Sequence, residues 1–328
     1  MTTTDGLTAP RPATADTPRR HTRPGLLTVA LGLLVVALLP LAVTTDRFLT
    51  LDNARAILAS TALVGIAAMG ATLVMIAGSA VSLAASQTAT VVAMVFLAAL
   101  GQGLVMATLL ALLCGVAITV VQGIGVGYWE ANPIVLTIAA GFAIGGGAVW
   151  FSGGTPVNAA SGDYDVLNAT PLGLPLAVYV LLLLTVLAQW ILRRTTAGRQ
   201  MYLVGENRAA ARAAGLPVGR VTVVAWAFSG LCLAISGVFL AAFNTSATTN
   251  LGGTLTLDAI AAVLVGGTAI AGGKGSALRT LGGAVLISVI ADILLIRGYP
   301  TGVQILAKGV LVLVVVVLVH LRSSRGPR

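Results

Sequence analysis

Charge is what this chain has least of. Asp, Glu, Lys and Arg make up 9% of its 328 residues, against about 25% in a soluble domain, and that excludes an ordinary water-soluble fold. Histidine is nearly absent. His21 and His320 stand far apart, no His-Glu-x-x-His pattern exists, and a histidine-built metal centre is excluded. Gly-x-Ser-x-Gly and carboxylates paired at acid–base spacing are missing too, which argues against an enzyme. The two cysteines, Cys114 and Cys232, fall inside apolar runs. They read as small core residues, not as a disulfide or metal pattern. A P-loop also fails. It needs Gly-x-x-x-x-Gly-Lys-Ser/Thr, but Thr268 stands five before Gly273 and Gly275 follows Lys274.

What the chain has instead is apolar length. It is 57% hydrophobic with a mean hydropathy of +1.00, the composition of a polytopic helical membrane protein set in a lipid bilayer. Residues 1–24, rich in Thr, Pro and Arg, are expected to form a disordered cytoplasmic tail. Leu26–Val43 resembles a signal-peptide core, but no Ala-x-Ala site follows it, and it reads as a retained first span. Ten spans are predicted, near 26–43, 54–77, 86–100, 103–121, 133–151, 174–192, 221–243, 257–271, 277–296 and 302–320. The membrane domain is thus 25–321, with a short tail at 322–328.

The cations orient this bundle. With both termini inside, the inner segments hold Arg11, Arg19, Arg20, Arg23, six arginines within 193–220, Lys274, Arg279, Arg322, Arg325 and Arg328. The outer face holds Arg47, Arg55 and Arg297, and the largest outer loop, 152–173, carries Asp163 and Asp165 with no basic residue. This is the asymmetry of the positive-inside rule. The net charge of +9 therefore sets topology and does not indicate nucleic acid.

The loop 193–220 contains a short helix with readable ends. Asn207 is its N-cap, Arg208–Ala214 are helix formers, Gly215 supplies a left-handed C′ residue and Pro217 blocks continuation. So short a helix is marginal in water, and it is expected to dock on a partner.

Three runs carry a specific resemblance: Gly205-Glu206-Asn207 followed by Ala209, Ala210 and Gly215-Leu216; Leu257-Asp258-Ala259-Ile260-Ala261-Ala262-Val263; and Gly266-Gly267-Thr268-Ala269-Ile270-Ala271-Gly272-Gly273-Lys274-Gly275. Together they resemble the permease subunits of bacterial ATP-binding-cassette sugar importers of the ribose/xylose/galactose type. The resemblance spans about Phe48 to Lys308. It implies an all-α permease working with a second permease subunit, as homodimer or heterodimer. It further implies cytoplasmic ATPase subunits, which hold the ATP and magnesium, and an extracytoplasmic sugar-binding protein. The chain itself would carry no cofactor. Gly205, Glu206, Asn207, Ala209, Ala210 and Gly215 match the ATPase-coupling region. Gly272, Gly273, Lys274 and Gly275 read as an inner turn. One motif departs: where the family has Gly-Gly-Ile-Asp-Leu-Ser-Val-Gly, residues 78–85 place Val81 at the aspartate and Ala85 at the last glycine.

Few ionisable residues lie within the spans, which disfavours an ion-coupled secondary transporter. Asp258 is one of them. Asp292 and Lys308 fall on consecutive antiparallel helices, about 7 and 10 Å from their outer ends, and are expected to pair. Arg47, Arg55 and Arg297 are candidates for docking the binding protein. Gln87, Gln102, Gln122, Asn244 and Trp150 could hydrogen-bond or stack on a sugar. Permeases for nucleosides or branched-chain amino acids are the alternatives.

Overall fold

A computed structural model of the chain describes residues 48, 50–159 and 164–323. The predicted tail 1–24, the span 26–43 and Arg47 lie outside the described residues. The rest is helical, as expected. The helices are α1 (Leu51–Ile76), α2 (Ala85–Ala99), α3 (Leu104–Gly127), α4 (Pro133–Ser152), α5 (Leu176–Arg194), α6 (Thr196–Glu206), α7 (Arg208–Ala213), α8 (Val218–Asn244), α9 (Leu255–Val265), α10 (Ala277–Ile296) and α11 (Thr301–Ser323). Two short strands, β1 (Val157–Asn158) and β2 (Ser246–Ala247), pair antiparallel. Among the described residues seven helices are long and apolar enough to cross a membrane. The expected span 257–271 is helical only to Val265.

Helix α8 is the hub, packed against α1, α2 and α3. Lipid supplies no hydrophobic drive between helices, so close backbone approach must hold them. Glycine provides it. A Cβ on Gly70 of α1 would lie 2.7 Å from the Ser229 Cα of α8, and one on Gly123 of α3 would lie 2.7 Å from the Trp226 Cβ. Trp226 is fully buried at this seam.

Contacts define two ends. At one, Asn53 of α1 donates to Asp292 of α10 at 2.9 Å, Arg55 donates to the Gly173 carbonyl at 3.0 Å, and β1 meets β2. At the other, the Gly273 N–H donates to the Ile76 carbonyl at 3.0 Å and Tyr202 donates to the Gly275 carbonyl at 3.0 Å. Arg55 and Arg297 belong to the first end. The second carries Arg193, Arg194, Arg199, Arg208, Arg212, Arg220, Lys274 and Arg279.

Two crossings are only half helical. From the arginine-rich end, residues 77–84 run without regular structure before α2 begins. From the opposite end, the segment after Thr245 runs back before the 11-residue α9 begins. The starts of α2 and α9 meet inside the bundle. Ser86 N–H donates to Thr256 Oγ1 at 2.8 Å, Thr256 N–H donates to Ser86 Oγ at 3.0 Å, and the two hydroxyls lie 2.7 Å apart. Each helix thus satisfies an orphan amide of the other. Backbone off a helix survives within a membrane only where protein satisfies it. Accordingly the Leu83 N–H donates to Thr137 of α4 at 3.2 Å, the Ala84 N–H donates to Ser82 at 3.2 Å, and Ser82 donates to Gln122 of α3 at 2.8 Å. Val81 lies buried in an apolar cluster with Met75, Ala85 and Leu264, so no charge stands at the departed aspartate position.

Candidate functional site: a glycine junction under the short helix

The arginine-rich end is built on helix caps. Asn207 accepts from the Ala210 N–H at 2.9 Å and opens α7. Gly215 adopts φ 77°, its N–H donates to the Arg212 carbonyl at 2.9 Å, and the Leu216 N–H donates to Ala211 at 3.0 Å. That is a Schellman closure, so both ends of this helix were legible in the sequence. The preceding helix, α6, was not anticipated. Its buried face, Gly198, Met201, Val204 and Gly205, has the three-to-four spacing that could have disclosed it.

Helix α7 is fastened to the turn between α3 and α4. Arg208 donates to the Val126 carbonyl at 3.0 Å, where a cation complements the end of α3. Arg212 pairs with Glu130, a residue held in the left-handed region at φ 54°. Burial lowers the Arg208 pKa, the Glu130 carboxylate opposes this and the Arg212 charge adds to it. Arginine nonetheless stays protonated. With one side so anchored, Ala209, Ala210 and Ala213 face outward, as do Leu203 and Glu206.

Beneath α7, three turns touch backbone to backbone. A Cβ on Gly205 would overlap the Ile76 carbonyl and approach the Gly273 nitrogen to 2.5 Å. One on Gly272 would lie 2.6 Å from the Gly78 Cα, and one on Gly273 2.9 Å from the Glu206 Cα. Gly78, Gly272 and Gly273 also need positive φ, at 75°, 89° and 70°, conformations open to glycine at little cost. The junction therefore ties the α6–α7 corner to the end of α1, which leads into the half-helical crossing through α2. It ties the same corner to the turn after α9. The turn Gly272–Gly275 is part of this packed junction, with the Lys274 side chain exposed. Tyr202 reinforces it from α6. Burial raises its phenol pKa, while Arg193 and Arg279 lower it.

The comparisons agree with these motifs. The family described as "Branched-chain amino acid transport system / permease component" matches residues 53–319. The chain belongs to this permease family. Among its relatives is the ribose import permease protein RbsC of Escherichia coli K12, 29% identical over 297 residues, 87% of this chain and 91% of the relative. The probable ABC transporter permease protein YphD of the same strain is 34% identical over 306 residues, covering 91% and 92%. The autoinducer 2 import system permease protein LsrD of Yersinia enterocolitica serotype O:8 is 31% identical over 197 residues, covering 58% and 60%. No solved structure matches. The glycines at 78, 205, 272 and 273 have a steric reason: the junction has no room for side chains.

Elsewhere the permease corrects one expectation. Lys308 does not pair with Asp292. Its Nζ lies 2.7 Å from Asp258 Oδ1, and Asp292 accepts from Asn53 instead. Helix α11 packs over α9 as well as α10, which brings Lys308 to α9, while α1 takes up Asp292. Of the cations expected outside, Arg55 donates to the Gly173 carbonyl and lies 3.5 Å from Asp52, so it anchors the loop before α5. Of the polar sugar candidates, Gln122 is buried and held by Ser82, Asn244 donates to the Leu240 carbonyl of its own helix, and Trp150 is 88% exposed on α4.

Proposed function

We propose that this chain is the membrane-spanning permease subunit of an ATP-binding-cassette importer that carries a monosaccharide inward. The supporting observation is mechanical. The exposed short helix α7 follows directly on Gly205, and Gly205 contacts the turn that leads into the first half-helical crossing and the turn that leads out of the second. A separate ATPase docking on Ala209, Ala210 and Ala213 would hold the ATP and magnesium and move this corner. Backbone contacts without intervening side chains would carry the motion to α2 and α9, whose starts are locked together by Ser86 and Thr256. The arginine-rich end faces the cytoplasm by the positive-inside rule. The opposite end, with Arg55 and Arg297, receives an extracytoplasmic binding protein, and a second permease subunit completes the pathway. The names of RbsC and LsrD support a sugar or sugar-like solute.

Ala210→Glu tests the docking face. Position 210 is the third residue of α7, where glutamate suits a helix N-terminus, so the fold should stand. Expected is a permease that purifies normally but no longer retains its ATPase or takes up labelled ribose. Normal ATPase retention and uptake would remove α7 as the docking element.

A further inference from the structure

Between α9 and α11 lies a cavity of about 190 Å³. That is room for roughly six waters at ~30 Å³ each, or for one small solute. Its polar corner is Thr254, Asp258 and Lys308, and its walls include Leu257, Ile305 and Val312. Lys308 lies 2.7 Å from Asp258 Oδ1, and Thr254 Oγ1 donates to Asp258 Oδ2 at 2.8 Å. Asp258 is 7% exposed. Asp292, the other acid of these neighbouring helices, is engaged with Asn53.

We propose that this corner is a binding site for a neutral polyhydroxylated solute, which the apolar walls receive on its C–H face. This rests on the importer reading above and narrows it to a place. The inventory of donors and acceptors carries the proposal. The ammonium sits in ion-pair contact with Asp258, and Asp258 Oδ1 accepts no hydrogen bond, so donors and an acceptor remain for a ligand. The carboxylate keeps lone pairs on both oxygens, and the Thr254 oxygen can still accept. Adjacent hydroxyls, each donor and acceptor, can use all three groups without separating the charges. The corner is neutral as a whole, so a solute with net charge gains no counter-ion. A zwitterionic amino acid would have to compete with the 2.7 Å pair. A buried ion pair adds little net stability over apolar packing, and one kept at the edge of open space is better placed to meet a ligand than to brace a core. The site also adjoins the start of α9, the helix that the glycine junction would move.

Two glycines of α11 make the test. Gly309 lines the cavity and Gly302 does not, yet a Cβ on either meets nothing within 4 Å. Leucine at 309 should fill the cavity without touching the ion pair. The complete importer, with its ATPase and binding protein, would be reconstituted in proteoliposomes and given labelled ribose, with labelled leucine in parallel. Expected is ribose uptake reduced tenfold or more by Gly309→Leu and wild-type uptake by Gly302→Leu, with both variants retaining the ATPase. Wild-type uptake in both variants, or the same loss in both, overturns the site while ribose import by the wild type stands. A wild type that carries leucine and not ribose overturns the site and the monosaccharide reading together.

Discussion

The two half-helical crossings solve one problem with different chemistry. Each helix begins inside the bundle and offers a hydroxyl at its second position, Ser86 in α2 and Thr256 in α9, and these cap each other. Two positions further on, the solutions diverge. In α2 the side chain is Thr88, which donates to the Ala84 carbonyl of its own helix at 2.8 Å and needs nothing from outside. In α9 it is Asp258, which needs Lys308 from α11. The irregular approach to α2 is tied down by Ser82, Gln122 and Thr137. The approach to α9 relies on the β1–β2 pair and on Thr90, which accepts from the Gly252 N–H at 2.8 Å. The first crossing is held by neutral hydrogen bonds to α3 and α4 and the second by an ion pair with α11, so losing one outside partner should weaken the second more.

The sharpest way to break this comparison is to remove the outside dependence. Lys308→Met leaves Asp258 buried without its partner and should cost about 3–5 kcal/mol. Lys308→Met combined with Asp258→Leu should recover most of that. Thr88→Val in the first crossing should cost only about 1 kcal/mol. Thermal unfolding of the purified variants in one detergent would show it. Equal losses for Lys308→Met and Thr88→Val would erase the asymmetry.

The next effect tests whether both crossings hang from one point. Gly205→Ala drives a Cβ into backbone of both neighbouring turns, where no side chain can yield. The cost should reach the ~3 kcal/mol upper range of overpacking, with uptake lost even where folded protein is recovered. Gly215→Ala, exposed and with open space at its Cβ, should cost about 1–2 kcal/mol for its left-handed backbone and spare transport. Uptake by Gly205→Ala at the Gly215→Ala level would mean that the junction transmits nothing.

Much of this architecture was readable from residues. Asn207 and Gly215 bounded α7 because caps act locally, and the apolar runs showed most of the spans. The break after α9 was hidden because the residues after Val265 are also apolar, and hydropathy does not register a glycine at φ 77° ending a helix. The partner of Lys308 departs from expectation for a different reason. Spacing along a helix says how deep a residue lies, but not which of two neighbouring helices it faces. The Ser86–Thr256 lock joins residues 170 positions apart, and single hydroxyls in apolar runs give no sign of such a meeting.

That lock supplies a smaller and more specific test. Ser86→Ala or Thr256→Ala strands one buried amide of the opposite helix, at about 1–3 kcal/mol each. Because either single variant already loses the contact between the two hydroxyls, the double variant should cost less than the sum of the singles. Strict additivity would mean that the two helix starts are stabilised independently.

The smallest effect lies at the arginine-rich end, where Tyr202 joins α6 to the turn after α9. Tyr202→Phe removes the hydrogen bond to the Gly275 carbonyl and should cost about 1 kcal/mol. Its pH dependence has a definite sign. Burial holds the folded phenol pKa above its ordinary value, near 10 in the unfolded chain. The phenol is protonated in both states below about pH 10, so the contribution is fully present there. It declines as the pH climbs from that value through the raised folded one, because the unfolded chain ionises first. The stability gap between wild type and Tyr202→Phe should therefore be flat from neutral pH to about pH 10 and close above it. A gap that instead widens as the pH rises towards 10 would place the folded phenol pKa below its ordinary value, with Arg193 and Arg279 outweighing burial, and Tyr202 would then act on the junction through charge.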